Sequence, residues 1–534
     1  MSATLYLGGT IRTVDPIRPA AEALIVDGKR IVFVGSESDA RALIPSGAGI
    51  RDLDGACLLP GFVDAHTHPL MLGQCLSWAD LSGVADVAVV VDRLRAHAAT
   101  LPPDAPIRGF GYDQHLLPGG RHPSADLLDR VSGEREVVVM HASGHGYAVN
   151  HVALRRAGIT SDTPTPLGGL IGRDGNGHLD GRVFDAACDL LTGPGGVKIT
   201  NHGPNLHLGD DPDVLLAQFL SAQQVLLAAG VTTACDCQVT ERELGVYQRA
   251  RTDGYLTMRL SMMVLSSHLA ALETLGLHSG FGDDLLWLGG VKCYADGSLI
   301  SGTADVPCGC GNYHGHVYHP FDELAELIER AHRAGLQTGT HAQGERSIGV
   351  VLDAIEDAQR RTPRPDARHR IEHCGLPSDD QIARMARLGV WPVSQPTQVW
   401  QYGAGIRRAL GDPAERMYPA GLYHSGGVPV VLSSDTPVTM PDVPRSIHAA
   451  VTRQTLDGAM LGADCAIPID VALAGWTIRA AEVLHRERSI GSLQVGKLAD
   501  LVLVDHDPTE VDTADLPGVE VVETIVGGRV VWTR

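Results

Sequence analysis

Two histidines stand two residues apart in LLPGFVDAHTHP, His66 and His68, at the end of an apolar run. In a strand, side chains at i and i+2 leave the same face, so both imidazoles can reach one ion. Three further polar residues stand at or just past the ends of strand-like runs: His341 in TGTHAQGE, His373 in RIEHCG and Asp435 in LSSDTP. Lys292 lies inside GVKCYADGS, in a run otherwise suited to a core. Each has an ordinary alternative. His341 reads equally as a hydrogen-bonded core histidine, Asp435 as a helix N-cap before Thr-Pro, and Lys292 as an ion-pair partner. Those alternatives would have to hold independently at every place, whereas one metal centre accounts for all six residues. Imidazole nitrogens and a carboxylate, with no thiolate, favour zinc, and manganese or iron also suits such ligands.

The elements that must position these residues follow a repeating pattern. Strand-like runs at 231–236, 287–297, 336–342, 370–374, 390–396 and 428–435 alternate with helical segments such as FDELAELIERAHRAG, where Gly335 is placed to end the helix. That alternation predicts an α/β chain, a (β/α)8 TIM-like barrel over 60–486, whose functional residues come from the C-terminal ends of successive strands. The interval 75–205 is rich in Pro, Gly and Asp and fits the rhythm poorly, so it is expected to be an insertion covering the pocket. Both chain ends carry hairpin signals, at Gly8-Gly9, Asp27-Gly28 and Gly527-Gly528, and are expected to form one small β-sandwich domain from 1–59 and 487–534.

Composition bounds the function. The 534 residues are 44% hydrophobic and 20% charged, which is globular, and 63 acidic against 43 basic residues give a formal charge of −20 that disfavours nucleic-acid partners. The N-terminus does not read as a signal peptide, no stretch predicts a membrane span, and the ten cysteines are expected to be reduced thiols of a cytoplasmic protein. The partner expected is a small-molecule substrate, with a homo-oligomer, a dimer, as the assembly.

PGFVDAHTH, VKCYADGS, THAQG, RIEHC and SSD, in this order and closed by GKLADLVLVD, resemble the amidohydrolase superfamily over nearly the whole chain. GYDQHLLPGGRHPSADLL, SGHGYAVN, GGLIGRDGNGHLDG and VKCYADGSLISGTA resemble its amidohydrolase-3 branch, which includes N-substituted formamide deformylases. The resemblance implies that His66, His68 and Asp435 bind a buried metal, that His341 and His373 bind a second, and that Lys292, carboxylated by carbon dioxide, bridges them; an unmodified Lys292 would leave one metal. The reaction implied is hydrolysis of a C–N bond. Water acidified by the metal from about 15.7 to about 7 attacks, and Asp435 carries its proton to the leaving nitrogen. A single-metal deamination of a heterocycle, hydrolysis of a carbamate or ester, decarboxylation and a non-catalytic scaffold are the rival readings.

Other residues invite roles more loosely. His145 and Asn150 in SGHGYAVN are candidates to meet substrate, or to bind loop backbone, and His141 stands where the family often has an arginine or similar group. Trp78, Tyr112, Trp400 and Tyr402 are candidate pocket walls in loops. The tract CGCGNYHGHVYH, with Cys308, Cys310, His314, His316 and His319, reads as a loop over the site rather than a separate zinc site, its cysteine spacing being too short. Glu345 is expected to orient a neighbouring ligand, Asp296 to be structural, and Cys235 and Cys237 to be barrel residues.

Overall fold

The computed structural model describes residues 3–193, 196–205, 207–209, 211–307 and 313–534. Its centre is an eight-stranded parallel sheet: β1 (Phe62–Thr67), β2 (Val231–Val239), β3 (Arg259–Leu265), β4 (Leu286–Tyr294), β5 (Gln337–Ala342), β6 (Arg370–His373), β7 (Trp391–Ser394) and β8 (Val431–Leu432). Each strand pairs with the next in sequence. β1 and β8 close the ring through the residues that follow β8. Asp435 N–H donates to the His66 carbonyl and His68 N–H to the Thr436 carbonyl, both at 2.9 Å. Ser434 donates its N–H and hydroxyl to the buried Asp64 carboxylate at 3.1 and 2.6 Å.

Six of the eight strands are buried end to end, and the other two at all but one residue, because helices cover them, as a parallel sheet requires. In the helix Phe321–Arg333, Leu324, Ile328 and Ala331 recur at helical spacing and face the barrel. Gly335 follows at φ 76°, and a side chain there would strike His278, so the helix stops where the sequence predicts.

The inserted segment is a folded layer rather than loops. Its six-stranded sheet runs in the order 169–173, 179–185, 146–149, 137–141, 107–112 and 79–80. Val138 and Met140 pack into one cluster with Tyr147 and Val183, while Val137 and Val139 pack into another with Ile107 and Ala148. Both faces are therefore covered, with the period of two that a strand imposes.

The chain ends meet in a second six-stranded sheet, where Cys57–Pro60 lies between Thr10–Arg12 and Leu501–Val504. A four-stranded sheet of residues 30–35, 23–27, 4–7 and 49–52 shares an apolar cluster with it through Tyr6, Leu24, Leu58 and Leu501. Among the described residues no helix is long and apolar enough to cross a membrane. The eight described cysteines are free and buried.

Near the start of β5 and β6, His332 and His369 form a buried neutral relay. His369 Nε2–H donates to His332 Nδ1 at 2.7 Å, His332 Nε2–H to the Thr362 carbonyl at 2.6 Å, and the Thr338 N–H to His369 Nδ1 at 3.0 Å. No ring nitrogen is left to take a proton without breaking a bond. Burial, with His332 and Arg364 nearby, holds the His369 pKa well below 6.5, and burial also lowers that of His332. The unfolded chain therefore binds more protons below its own pKa of about 6.5, and stability is lost as pH falls through that value. Thermal melts between pH 8 and 5 should show a declining Tm below pH 6.5, with a shallower decline in His369→Gln; equal slopes would refute the assignment.

Candidate metal centre

Five of the six ligands expected from sequence converge at the C-terminal mouth of the barrel around Asp435, and Lys292 is buried with them on β4. His66 closes β1, His341 lies on β5, His373 ends β6, and His68 and Asp435 follow β1 and β8. Asp435 Oδ1 is 3.5 Å from His66 Nε2 and 3.4 Å from His68 Nε2, and Oδ2 is 3.9 Å from His373 Nδ1. The rings of His341 and His373 are 4.5 Å apart, and those of His66 and His373 4.8 Å. Asp435 and His373 have left-handed backbones, φ 60° and 68°, conformations that cost energy and cluster at functional sites.

Three imidazoles are held from behind. His66 Nδ1 donates to Glu372 Oε2 at 2.5 Å, His341 Nε2 to the Gly297 carbonyl at 3.0 Å, and His373 Nδ1 to Gln395 Oε1 at 2.8 Å. Each bond fixes a tautomer whose other nitrogen keeps its lone pair, the usual support of a metal-binding histidine. Burial holds all three pKa values well below the ordinary histidine range, so all are neutral. His66 Nε2 and His341 Nδ1 are buried without a hydrogen-bond partner. Burial works against a charge on His68, yet Asp236 and Asp435 raise its pKa to about 9. The carboxylates call for positive charge where the lone pairs meet, so the donor set fits a divalent metal.

Lys292 is fully buried, with Nζ lacking a hydrogen-bond partner and lying 4.7 Å from the Tyr294 ring centroid. Burial lowers its pKa, against the pull of Glu372 and Asp435. An amine so placed has no carboxylate in hydrogen-bond contact, so Lys292 is not the ion-pair partner that its ordinary alternative reading required.

Beneath the ligands, Arg370 and Glu372 form a wholly buried pair, with 2.8 Å between Nη2 and Oε2. Arg370 also donates to the Ala65 carbonyl at 2.7 Å and lies 3.7 Å from the sulfurs of Cys235 and Cys237. The two cysteines are thus barrel interior. Glu372, Gln395 and Gln398, which donates to Asp435 Oδ2 at 2.8 Å, have no signal in spacing. Their partners lie far away in sequence, although Glu372 stands inside RIEHC next to a ligand.

The looser candidates divide. His145 lines the metal-centre pocket, its ring 4.9 Å from that of His341, and its Nδ1 donates to Asp185 at 2.8 Å. Asp185 also accepts from His316 Nδ1 at 2.5 Å and Tyr318 Oη at 2.9 Å, tying the insertion to the segment after β4. Asn150 is placed elsewhere: its carbonyl caps the helix His151–Arg156 and accepts from Val137 N–H, and its amide donates to the Ser132 and Arg135 carbonyls. Tyr112 is fully buried in the insertion with its hydroxyl 3.1 Å from His122 Nδ1. Trp78 lines a neighbouring cavity with Tyr402.

Trp400 and Tyr402 lie in the helix Pro396–Leu410 rather than a loop, a helix disguised by Gly403 and Gly405. His141 bonds Ser143 at 2.8 Å and Gln114, and burial keeps it neutral. Glu345 is exposed in the first turn of the helix Glu345–Arg361, so it orients no ligand. Asp296 accepts three backbone N–H bonds, from Gln343, Gly344 and Asp305, a structural role. Cys308 and Cys310 lie outside the described residues. His314 is exposed, His316 holds Asp185, and His319 Nδ1 pairs with Asn201 at 2.9 Å, so these histidines serve separate partners.

A barrel bearing histidine and carboxylate ligands at the C-terminal ends of its strands defines a metal-dependent hydrolase. The family model "Amidohydrolase family" matches residues 49–532, and the chain belongs to that family. It is 30% identical, over 100% of its length and 99% of the relative's, to the N-substituted formamide deformylase of Arthrobacter pascens. It is 28% identical to Protein LONG AFTER FAR-RED 3 of Arabidopsis thaliana, covering 98% of this chain and 91% of that one. An uncharacterized metal-dependent hydrolase from Pyrococcus horikoshii OT3 superposes with a TM-score of 0.77 at 25% identity, covering 96% of this chain and 99% of the other.

Proposed function

We propose that the chain hydrolyses the C–N bond of a small amide, an N-substituted formamide before others, at a two-metal centre, with zinc as the metal. The observation that carries this reading is the convergence on Asp435 of neutral imidazoles, each pinned through its rear nitrogen. His66, His68 and Asp435 would hold one ion, His341 and His373 the other, and Lys292 as a carbamate would join them. When bound, the metal supplies acidified water and a polarised carbonyl. Asp435 takes the proton of the attacking water and passes it to the departing nitrogen, while Gln398 fixes the carboxylate through Oδ2. No side chain becomes acylated. His145, held by Asp185, lines the pocket from the insertion side, where it would meet substrate.

The likeness to the Arthrobacter deformylase, which spans both chains, supports the formamide reading. We also read the two terminal sheets as one β-sandwich domain, 1–59 with 487–534, against a barrel of 60–486, in a cytoplasmic homodimer.

Metal analysis of the purified protein should find close to two equivalents, and Lys292→Met should hold one or none while keeping its circular-dichroism spectrum. Two equivalents in Lys292→Met would overturn the bridging role. A panel of formamides, acylated amino acids, cyclic amides and aminated heterocycles tests the reaction: formate release supports the reading, and ammonia release from the heterocycles alone would move the chain to the deaminases.

A further inference from the structure

We propose that a cavity of about 440 Å³ beside the metal centre is a subsite for an uncharged apolar substituent of the substrate. The inference rests on the amide reading above and adds what that amide carries.

Three elements that build the metal centre run on into the wall of this cavity. The segment after β8 supplies Asp435 to the centre, then Val438, which lines both spaces, and then Met440. The helix Pro69–Leu76, which His68 precedes, turns Met71 toward the metal ligands and Leu76 toward the cavity. The helix Pro396–Leu410 places Gln398 on Asp435 and, one turn later, Tyr402 on the cavity. Four residues of helix rise about 6 Å, so the cavity begins within the length of a small molecule from the proton-carrying carboxylate. The insertion closes the far side with Trp78 and Phe110.

The chemistry of the walls selects the occupant. Leu76, Trp78, Phe110 and Val438 offer apolar surface, and the Tyr402 hydroxyl is already engaged with the Val438 carbonyl at 2.7 Å. Among the described residues no basic side chain lines the cavity, and its one charged wall residue is Asp80. A carboxylate there would be desolvated without a partner, which burial penalises heavily. An alkyl or aryl group would exchange water for carbon surface. Leu76 is 46% and Met440 47% exposed, which marks the rim by which such a group enters. The substrate class is therefore an amide with a neutral hydrocarbon arm, and acylated amino acids are disfavoured.

The test uses the metal-loaded protein and a series from N-methylformamide to N-hexylformamide, with N-(carboxymethyl)formamide as the charged member. Expected is a rise in kcat/KM of roughly fourfold per methylene until the cavity fills. The carboxymethyl compound should fall at least about tenfold below N-propylformamide. Met440→Trp, at the exposed rim, should lower kcat/KM for N-hexylformamide by about tenfold or more and leave N-methylformamide within about twofold. Calorimetric titration with N-hexylformamide separates the two claims. Binding that weakens in Met440→Trp without turnover supports the cavity and overturns the formamide chemistry. Turnover indifferent to chain length and to Met440→Trp overturns the cavity and leaves the chemistry standing, and neither binding nor turnover overturns both.

Discussion

Asp435→Asn is expected to lower turnover by about 10³-fold or more while the fold survives. The substitution is nearly isosteric, and Asn tolerates the left-handed backbone, φ 60°, that position 435 requires. It keeps an oxygen toward Gln398 but removes the negative charge between His66 and His68 and, with it, the base proposed to carry the proton. Asp435→Ala would confuse the outcome by adding backbone strain. Steady-state rates and melting curves measured together decide the matter. Residual activity within about tenfold of the natural protein would remove Asp435 from proton transfer.

Arg370→Met should be the most destabilising single change near the site, costing about 3–5 kcal/mol. The guanidinium and Glu372 are both fully buried, and removing one strands the other's charge in the barrel interior. Arg370→Met combined with Glu372→Gln removes both charges and should recover much of that loss, because the cost lies in the orphaned carboxylate rather than in the missing contact. Glu372→Gln still offers an oxygen to His66 Nδ1, so the double variant should retain metal, bound more weakly. Urea denaturation of the four proteins gives the coupling directly. Equal stabilities of the single Arg370→Met and the double variant would show that the stranded charge is not the cause.

Legibility in the sequence followed the range of the interactions. The candidate ligands His66, His68, His341, His373 and Asp435 stand out in the sequence because each sits at or just past a strand end, where periodicity and turn chemistry are local. β3 has a run as apolar as its neighbours, RLSMMVL, but it carries no ligand and two of its residues are methionines without strand preference. The insertion showed its turns and hid its sheet, whose neighbours are joined across 107–185 in an order that local patterns do not encode. Glu372 supports His66 from 306 residues away, and Asp185 reaches His316 across 131. Asn150 takes the second of its two readings, binding backbone rather than substrate: it serves as an N-cap, a role for which asparagine is strongly preferred.

The seam between β1 and β8 has a consequence for assembly. Those strands are the first and last of the barrel, some 370 residues apart, and the bonds that join them run through Asp64, His66, His68, Ser434, Asp435 and Thr436. Three of these six, His66, His68 and Asp435, are also among the ligands proposed for the buried metal. Closing the ring and completing the ligand set are one event, so a chain halted before residue 436 has neither a finished cylinder nor a usable centre. Catalysis here reports that the last turn of the wheel has met the first.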